Sequence, residues 1–187
     1  KNDDRLERVG VSLDNPSYQL ENRKSNSAGT GEIYIGDKTN LEQMFTGDFE
    51  GAIPEKNNEI AVEQSLIDKN KLDWKIGDTV SIPIGDRYYI ENGEKVILAG
   101  SYFGDEEFEV TEIGEFKITA ILHDNPATSA RAKIIRGLDL STLTLADGEL
   151  ASAYIEVKNL NYKSLQTIKD IIEAVSYTHL RAHETSL

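Results

Sequence analysis

Three runs in the middle of the chain alternate apolar and polar residues with a period of two. Val80, Ile82 and Ile84 alternate with Thr79, Ser81 and Pro83; Phe108 and Val110 with Glu107, Glu109 and Thr111; Phe116, Ile118 and Ala120 with Lys117, Thr119 and Ile121. This period puts every second side chain on one face, as a half-buried strand requires and a helix forbids. Pro83 has no ladder donor, so its strand should lie at an edge or carry a bulge. Gly114 is expected in a turn between the second and third runs. Asn92-Gly93, between residues 88–90 and Val96-Ile97, is the preferred pair for a type I′ hairpin turn. A two-residue loop sets Glu91 opposite Glu94, a mildly unfavourable pair.

The flanks read more briefly. An apolar island covers residues 9–13, and residues 22–31 form a polar loop. Residues 32–35 are a short strand. Asn40 can cap a helical turn over 41–45 that ends at Gly47. Residues 59–62 form a strand after Pro54 and the Asn57-Asn58 turn, and 63–71 favour helix, with Leu66 and Ile67 as its apolar contacts. Lys75-Ile76-Gly77-Asp78 is a turn. Residues 133–135 and 151–157 read as strands, 138–145 fits either state, and Asp147-Gly148 is a turn. Asn161 can cap a closing helix whose Leu165, Ile168, Ile172 and Val175 form an apolar stripe. The sum is a strand-rich α+β domain with two lobes and two or three short helices.

Composition narrows the function classes. The 187 residues carry 20 basic and 33 acidic side chains, a net charge of −13. Such a surface repels nucleic acid, so no nucleic-acid partner is expected. Cysteine is absent, which removes disulfides and thiolate chemistry. No apolar run approaches the ~20 residues of a membrane-spanning helix.

Several constellations have a sharp and a bland reading. The acid run Asp105-Glu106-Glu107, with Glu109 and Glu112, lacks the ligand offsets and Gly turn of a calcium loop, so a solvated loop and strand face is expected. His123-Asp124, with Ser129 nearby, offers the residue types of a hydrolytic dyad, but no Gly-x-Ser-x-Gly elbow accompanies them. The bland reading is a polar turn after a strand. No P-loop or Gly-x-Gly-x-x-Gly opens a helix after a strand. Trp74, Tyr88, Tyr89, Tyr102 and Phe103 could line an aromatic surface, although Trp and Tyr more often anchor a core edge with a wet polar tip. Tyr88, Tyr89, Tyr102 and Phe103 are the candidate ligand or partner contacts, with 138–145 as a second candidate segment. No catalytic, cofactor or metal residue is expected.

Residues 176–187 break the pattern. They hold two of the chain's three histidines and continue no apolar stripe. The string at 175–185 resembles a translated sequencing-adaptor read-through, so a non-native tail is expected there. The rival reading is a metal site, since His179 and His183 are spaced i, i+4; Leu180 stands where the zinc-helix motif has Glu.

Residues 51–62 (Gly-Ala-Ile-Pro-Glu-Lys-Asn-Asn-Glu-Ile-Ala-Val) and 75–80 (Lys-Ile-Gly-Asp-Thr-Val) together resemble the extracytoplasmic, MacB-like periplasmic core domain of FtsX-like ABC transporter permeases. The family pattern is a Gly-x-x-Pro turn, Asn-Glu-Ile entering a strand, a short helix, and a Lys-x-Gly-Asp turn into another strand. A later strand matches residues 116–122, with Ala120 standing where Gly is usual. Residues 84–89 and the acidic stretch after them look most like Gram-positive permeases. The resemblance is best over 45–175 and implies one extracytoplasmic domain over 1–175, between two membrane spans at the cell membrane. It implies a domain that performs no chemistry and uses no cofactor, coupling ATP hydrolysis by a cytoplasmic ATP-binding subunit to export or to motion of an outside partner. A permease dimer is implied too. The alternatives are a free-standing cell-surface ligand-binding or adhesion module, a secreted hydrolase, and a calcium-binding wall protein.

Overall fold

A computed structural model describes residues 6–20, 29–98, 106–124, 132–143 and 150–158, with Gln166, Lys169 and Asp170 helical. The elements are β1 (Leu6–Leu13), β2 (Ser17–Gln19), β3 (Thr30–Asp37), α1 (Lys38–Met44), β4 (Asp48–Gly51), β5 (Glu59–Glu63), α2 (Gln64–Asn70), β6 (Thr79–Glu91), β7 (Glu94–Ile97), β8 (Glu107–Asp124), β9 (Ala132–Leu138) and β10 (Leu150–Val157). Among the described residues this is a strand-rich α+β fold with ten strands in a mixed sheet and the two helices α1 and α2. The expected closing helix at 161–175 and the tail at 176–187 lie outside the described residues, apart from the three helical positions named. The chain divides into two units, 10–153 and the segments 1–9 with 154–187. In the second unit Arg8 Nε donates to Glu156 Oε2 at 2.7 Å.

Within 10–153 the pairing closes on itself. Strands β3, β2, β6, β8, β5 and β9 are neighbours in that order, and β9 returns to β3 in parallel, from Ile33↔Ile134 to Asp37↔Leu138. A six-stranded ring of this kind is a small barrel, whose interior side chains fill completely. Ile33, Ile35, Ile60, Val62, Ile82, Ile118 and Ile134 pack in one cluster with Tyr18, and α2 adds Leu66 and Ile67. The opposite face carries a second cluster: Leu41 and Phe45, at α1 and its C-cap, cover Ala61, Ala120, Leu122 and Ile135. Both faces of β5 and β9 are therefore buried, which is why the centre of each, Ile60-Ala61-Val62 and Ile134-Ile135, is apolar without alternation.

Strand β8 differs most from expectation. Gly114 lies inside one continuous strand and not in a turn; a Cβ there would stand 2.3 Å from the Phe116 ring. The alternation also changes face within the strand. Ile60 pairs with Ile118 but Ala61 pairs with Ala120, so Thr119 is an extra, bulged residue. Phe116 and Ile118 face the barrel interior, whereas Ala120 and Leu122 face α1. The expectation that Ala120 shares a face with Ile118 is thus corrected. Strand β6 is flanked on both sides, by β2 and β8, so Pro83 is not on an edge strand. It falls where β2 stops pairing, after Tyr18↔Ile84, and next to a bulge in β8.

The helix ends follow local chemistry. Asn40 is not the cap that its place before Leu41 suggests. Asp37 caps α1, accepting from Asn40 N at 2.9 Å through Oδ1, which also accepts from Val11 N at 2.9 Å. Asn40 instead accepts from the Tyr34 hydroxyl at 2.8 Å. Lys71 ends α2 in the left-handed conformation at φ 55°. The turn at 75–78 forms as expected: Asp78 Oδ2 accepts from Lys75 N at 2.9 Å, and Gly77 takes φ 98°.

Because Asp37 holds both α1 and β1, Asp37→Ala should lower unfolding free energy by about 1–2 kcal/mol. Asp37→Asn, which keeps the acceptor, should recover most of it. Urea denaturation of both variants checks this; an Asp37→Ala protein as stable as the parent would refute the double tether.

Candidate functional site

Strands β6 and β8 run on beyond the barrel and, with β7, form a three-stranded ribbon. The Asn92-Gly93 turn has the positive φ angles a type I′ turn needs, 53° and 85°, and Glu91 faces Glu94 as expected. Residues paired directly across strands share a face. Tyr88, Ile90, Lys95, Ile97, Glu107 and Glu109 therefore lie on one side, and Arg87, Tyr89, Val96, Phe108 and Val110 on the other.

The first side is polar at its centre. The Tyr88 hydroxyl donates to Glu107 Oε2 at 2.8 Å, and Lys95 Nζ lies 4.4 Å from the centroid of the Tyr88 ring while pairing with Glu109. The hydrogen bond to Glu107 raises the Tyr88 pKa, because the acceptor carboxylate disfavours a phenolate beside it. Tyr89 on the other side reaches Glu91 Oε2 at 3.5 Å. Tyr102 and Phe103 lie outside the described residues. The ribbon holds three of the seven large hydrophobic side chains exposed among the described residues: Ile90 and Ile97 on the first side and Val110 on the other, each 50–55 % exposed. Exposed apolar side chains on an element of this kind suit an interaction surface.

The acid run is solvated at Glu107, Glu109 and Glu112, as expected, but not at Glu106. Glu106 is buried and paired with Arg87 through two hydrogen bonds, Nε to Oε1 at 2.9 Å and a terminal nitrogen to Oε2 at 2.7 Å. Both side chains are at most 2 % exposed. Leu98 N donates to Arg87 O at 2.7 Å, so the same residue also fixes the return of the hairpin. Sequence reasoning missed this pair, since a charge on the outward face of a strand normally reads as solvated. Glu107 and Glu109 turn to the opposite face and bond Tyr88 and Lys95. Among the described residues no group of three His, Asp or Glu side chains converges as a metal site would need.

The remaining candidates fall elsewhere. His123 Nε2 lies 3.2 Å from the exposed Glu50 Oε1 where β4 meets β8, while Ser129 and the Asp124 side chain are outside the described residues. Trp74 packs against the barrel core, as the bland reading has it. In the segment 138–145, Leu138 is buried at the end of β9, Asp139 N donates to Asn57 Oδ1 at 2.9 Å, and Leu140 is exposed. Two bonds from Ser141, the hydroxyl foremost, hold the Asp139 pKa down. Residues 144–145 lie outside the described residues. No described helix is long and apolar enough to cross a membrane.

The chain matches no family model and no curated protein sequence.

Removing one partner of a buried ion pair strands the other charge, at a cost of about 3–5 kcal/mol. Arg87→Met should lose stability on that scale, and adding Glu106→Leu should restore part of it. Chemical denaturation of the single and double variants measures both; a double variant less stable than Arg87→Met alone would contradict the stranded-charge reading.

Proposed function

We propose that this chain is the extracytoplasmic α+β domain of an FtsX-like ABC transporter permease, of the MacB-like periplasmic core type. One observation carries the reading. The three segments on which the resemblance rests are hydrogen-bonded to one another: Lys117 N donates to Asn58 O at 2.8 Å, Gly77 N to Ile118 O at 2.8 Å, and Ile118 N to Asp78 O at 2.9 Å. The motif residues also have physical work at their positions. Pro54 is buried, Glu59 Oε2 accepts from Glu55 N at 3.0 Å and Lys56 N at 3.2 Å, and the loop lies so close to Gly137 that a Cβ there would meet it at 2.8 Å. The segments that carry the motif thus pack as one unit, which supports the reading.

On this reading the domain sits outside the cell membrane and catalyses no reaction. A cytoplasmic ATP-binding subunit supplies the energy through the membrane part of a permease dimer, and this domain passes motion to an exported substrate or an outside partner. Transmission of that kind needs contacts whose free energy differs between two states. The β6–β7–β8 ribbon is the surface for such contacts, because it projects past the barrel with exposed apolar side chains on both faces. The same exposure favours a second reading, a free-standing cell-surface ligand-binding module.

Sequencing the gene across both flanks separates the two. The permease reading expects an apolar run of about 20 residues encoded on each side, with an ATPase gene nearby. A reading frame that lacks both runs overturns it.

A further inference from the structure

One half-buried cation meets no carboxylate among the described residues. The chain has 33 acidic and 20 basic side chains, and Arg8, Lys38, Arg87, Lys95 and Lys133 each meet a carboxylate. Arg136 does not. It pairs with Ile35 on β3 and Ile60 on β5, both of which face the barrel interior, so its side chain starts inward. The guanidinium carbon lies 5.4 Å from the centroid of the Phe116 ring, and Nε donates to Asn57 O at 2.6 Å. That leaves four of the five N–H donors of a guanidinium. Among the described residues its two terminal nitrogens make no hydrogen bond, and no carboxylate lies within ion-pair distance. The side chain is half-buried, so the charge is partly stripped of water. Burial lowers its pKa, with only the field of Glu112 opposing.

These features describe a guanidinium fork held in place with its outer edge unused. The Asn57 carbonyl holds the Nε edge, the Phe116 ring lies beside the guanidinium, and the side chain stays partly exposed. One of the two N–H donors of the Asn57 amide goes to Thr142 Oγ1 at 2.8 Å. We infer that Arg136 is an oxyanion subsite, taking the carboxylate or phosphate group of a ligand on its terminal nitrogens. A planar fork meets such a group with two parallel hydrogen bonds, and a fork ordered beforehand loses little entropy in doing so. Glu112 and the overall acidity oppose a free anion, so affinity for an isolated ion is weak and falls with salt. This inference does not depend on the permease reading.

The test is a titration of the full chain, followed by the Arg136 Nε–H resonance and the Asn57 and Phe116 amides. The probes are inorganic phosphate and acetate, each at constant ionic strength. A saturable shift of these signals is expected, and the probe that saturates at lower concentration names the ligand class. Arg136→Lys, which keeps charge but loses the fork, should weaken binding at least tenfold, and Arg136→Gln should abolish it. A linear, unsaturating response of the parent protein to both probes overturns the proposal, as does an equal saturable shift of Asn57 and Phe116 in Arg136→Gln. The parent titration stands even where a variant fails to fold.

Discussion

The parallel pairing of β3 with β9 is the contact on which the rest depends. Without it the main strands form an open sheet with two long edges and an unfilled apolar face. With it the edges meet, and a set of isoleucines becomes a closed interior. Closure also explains the demands on β8. This single strand pairs with β6 along its first part, with β5 and β4 along its last, and must curve between them. Its bulges supply the curvature and turn Ala120 and Leu122 to the outside, where α1 covers them. Small residues make the close approaches possible. A Cβ at Gly85 would stand 1.9 Å from the Glu109 carbonyl oxygen.

Beyond the barrel, the same two strands lose their neighbours and become a ribbon. Its stability has to come from local terms, and they are visible. Arg87 and Glu106 lock its root, Lys95 lies on Tyr88, and Asn92-Gly93 matches the turn to the strand twist. A projecting element held at its root and apolar at its surface can meet a partner without disturbing the core. That separation of core from contact surface supports the proposed relay of motion.

Much of the sheet was legible because strands declare themselves by period. The β6 alternation, the hairpin, the turn at 75–78 and the Asn57-Asn58 reversal all follow from single residues with strong backbone preferences. The strand-rich α+β class follows from their sum. What the sequence hid depends on tertiary neighbours. Glycine reads as a turn, yet Gly114 sits mid-strand because Phe116 needs its space. Asn40 reads as a cap, but Asp37 reaches the same amide and also ties β1. Short β2 has too little alternation to notice. For the site, Tyr88 and Tyr89 were rightly placed on the hairpin by the turn signal alone. Their surroundings were not legible, because which acid meets which partner is set by register. Glu106 reads as one more solvated charge until its strand is aligned with β6. Arg136 lies outside every sequence signal, and only the place of β9 between β3 and β5 turns it inward.

Native-state hydrogen exchange tests the closed ring most directly. If β3–β9 pairing completes one cooperative unit, the slowest amides of β3, β5, β8 and β9 should exchange with a common opening free energy equal to that of global unfolding. Those of residues 89–96 in the ribbon should exchange sooner through local opening. Exchange of the β3–β9 amides well ahead of the β5–β8 amides would contradict closure, and would mean that the two strands merely lie side by side.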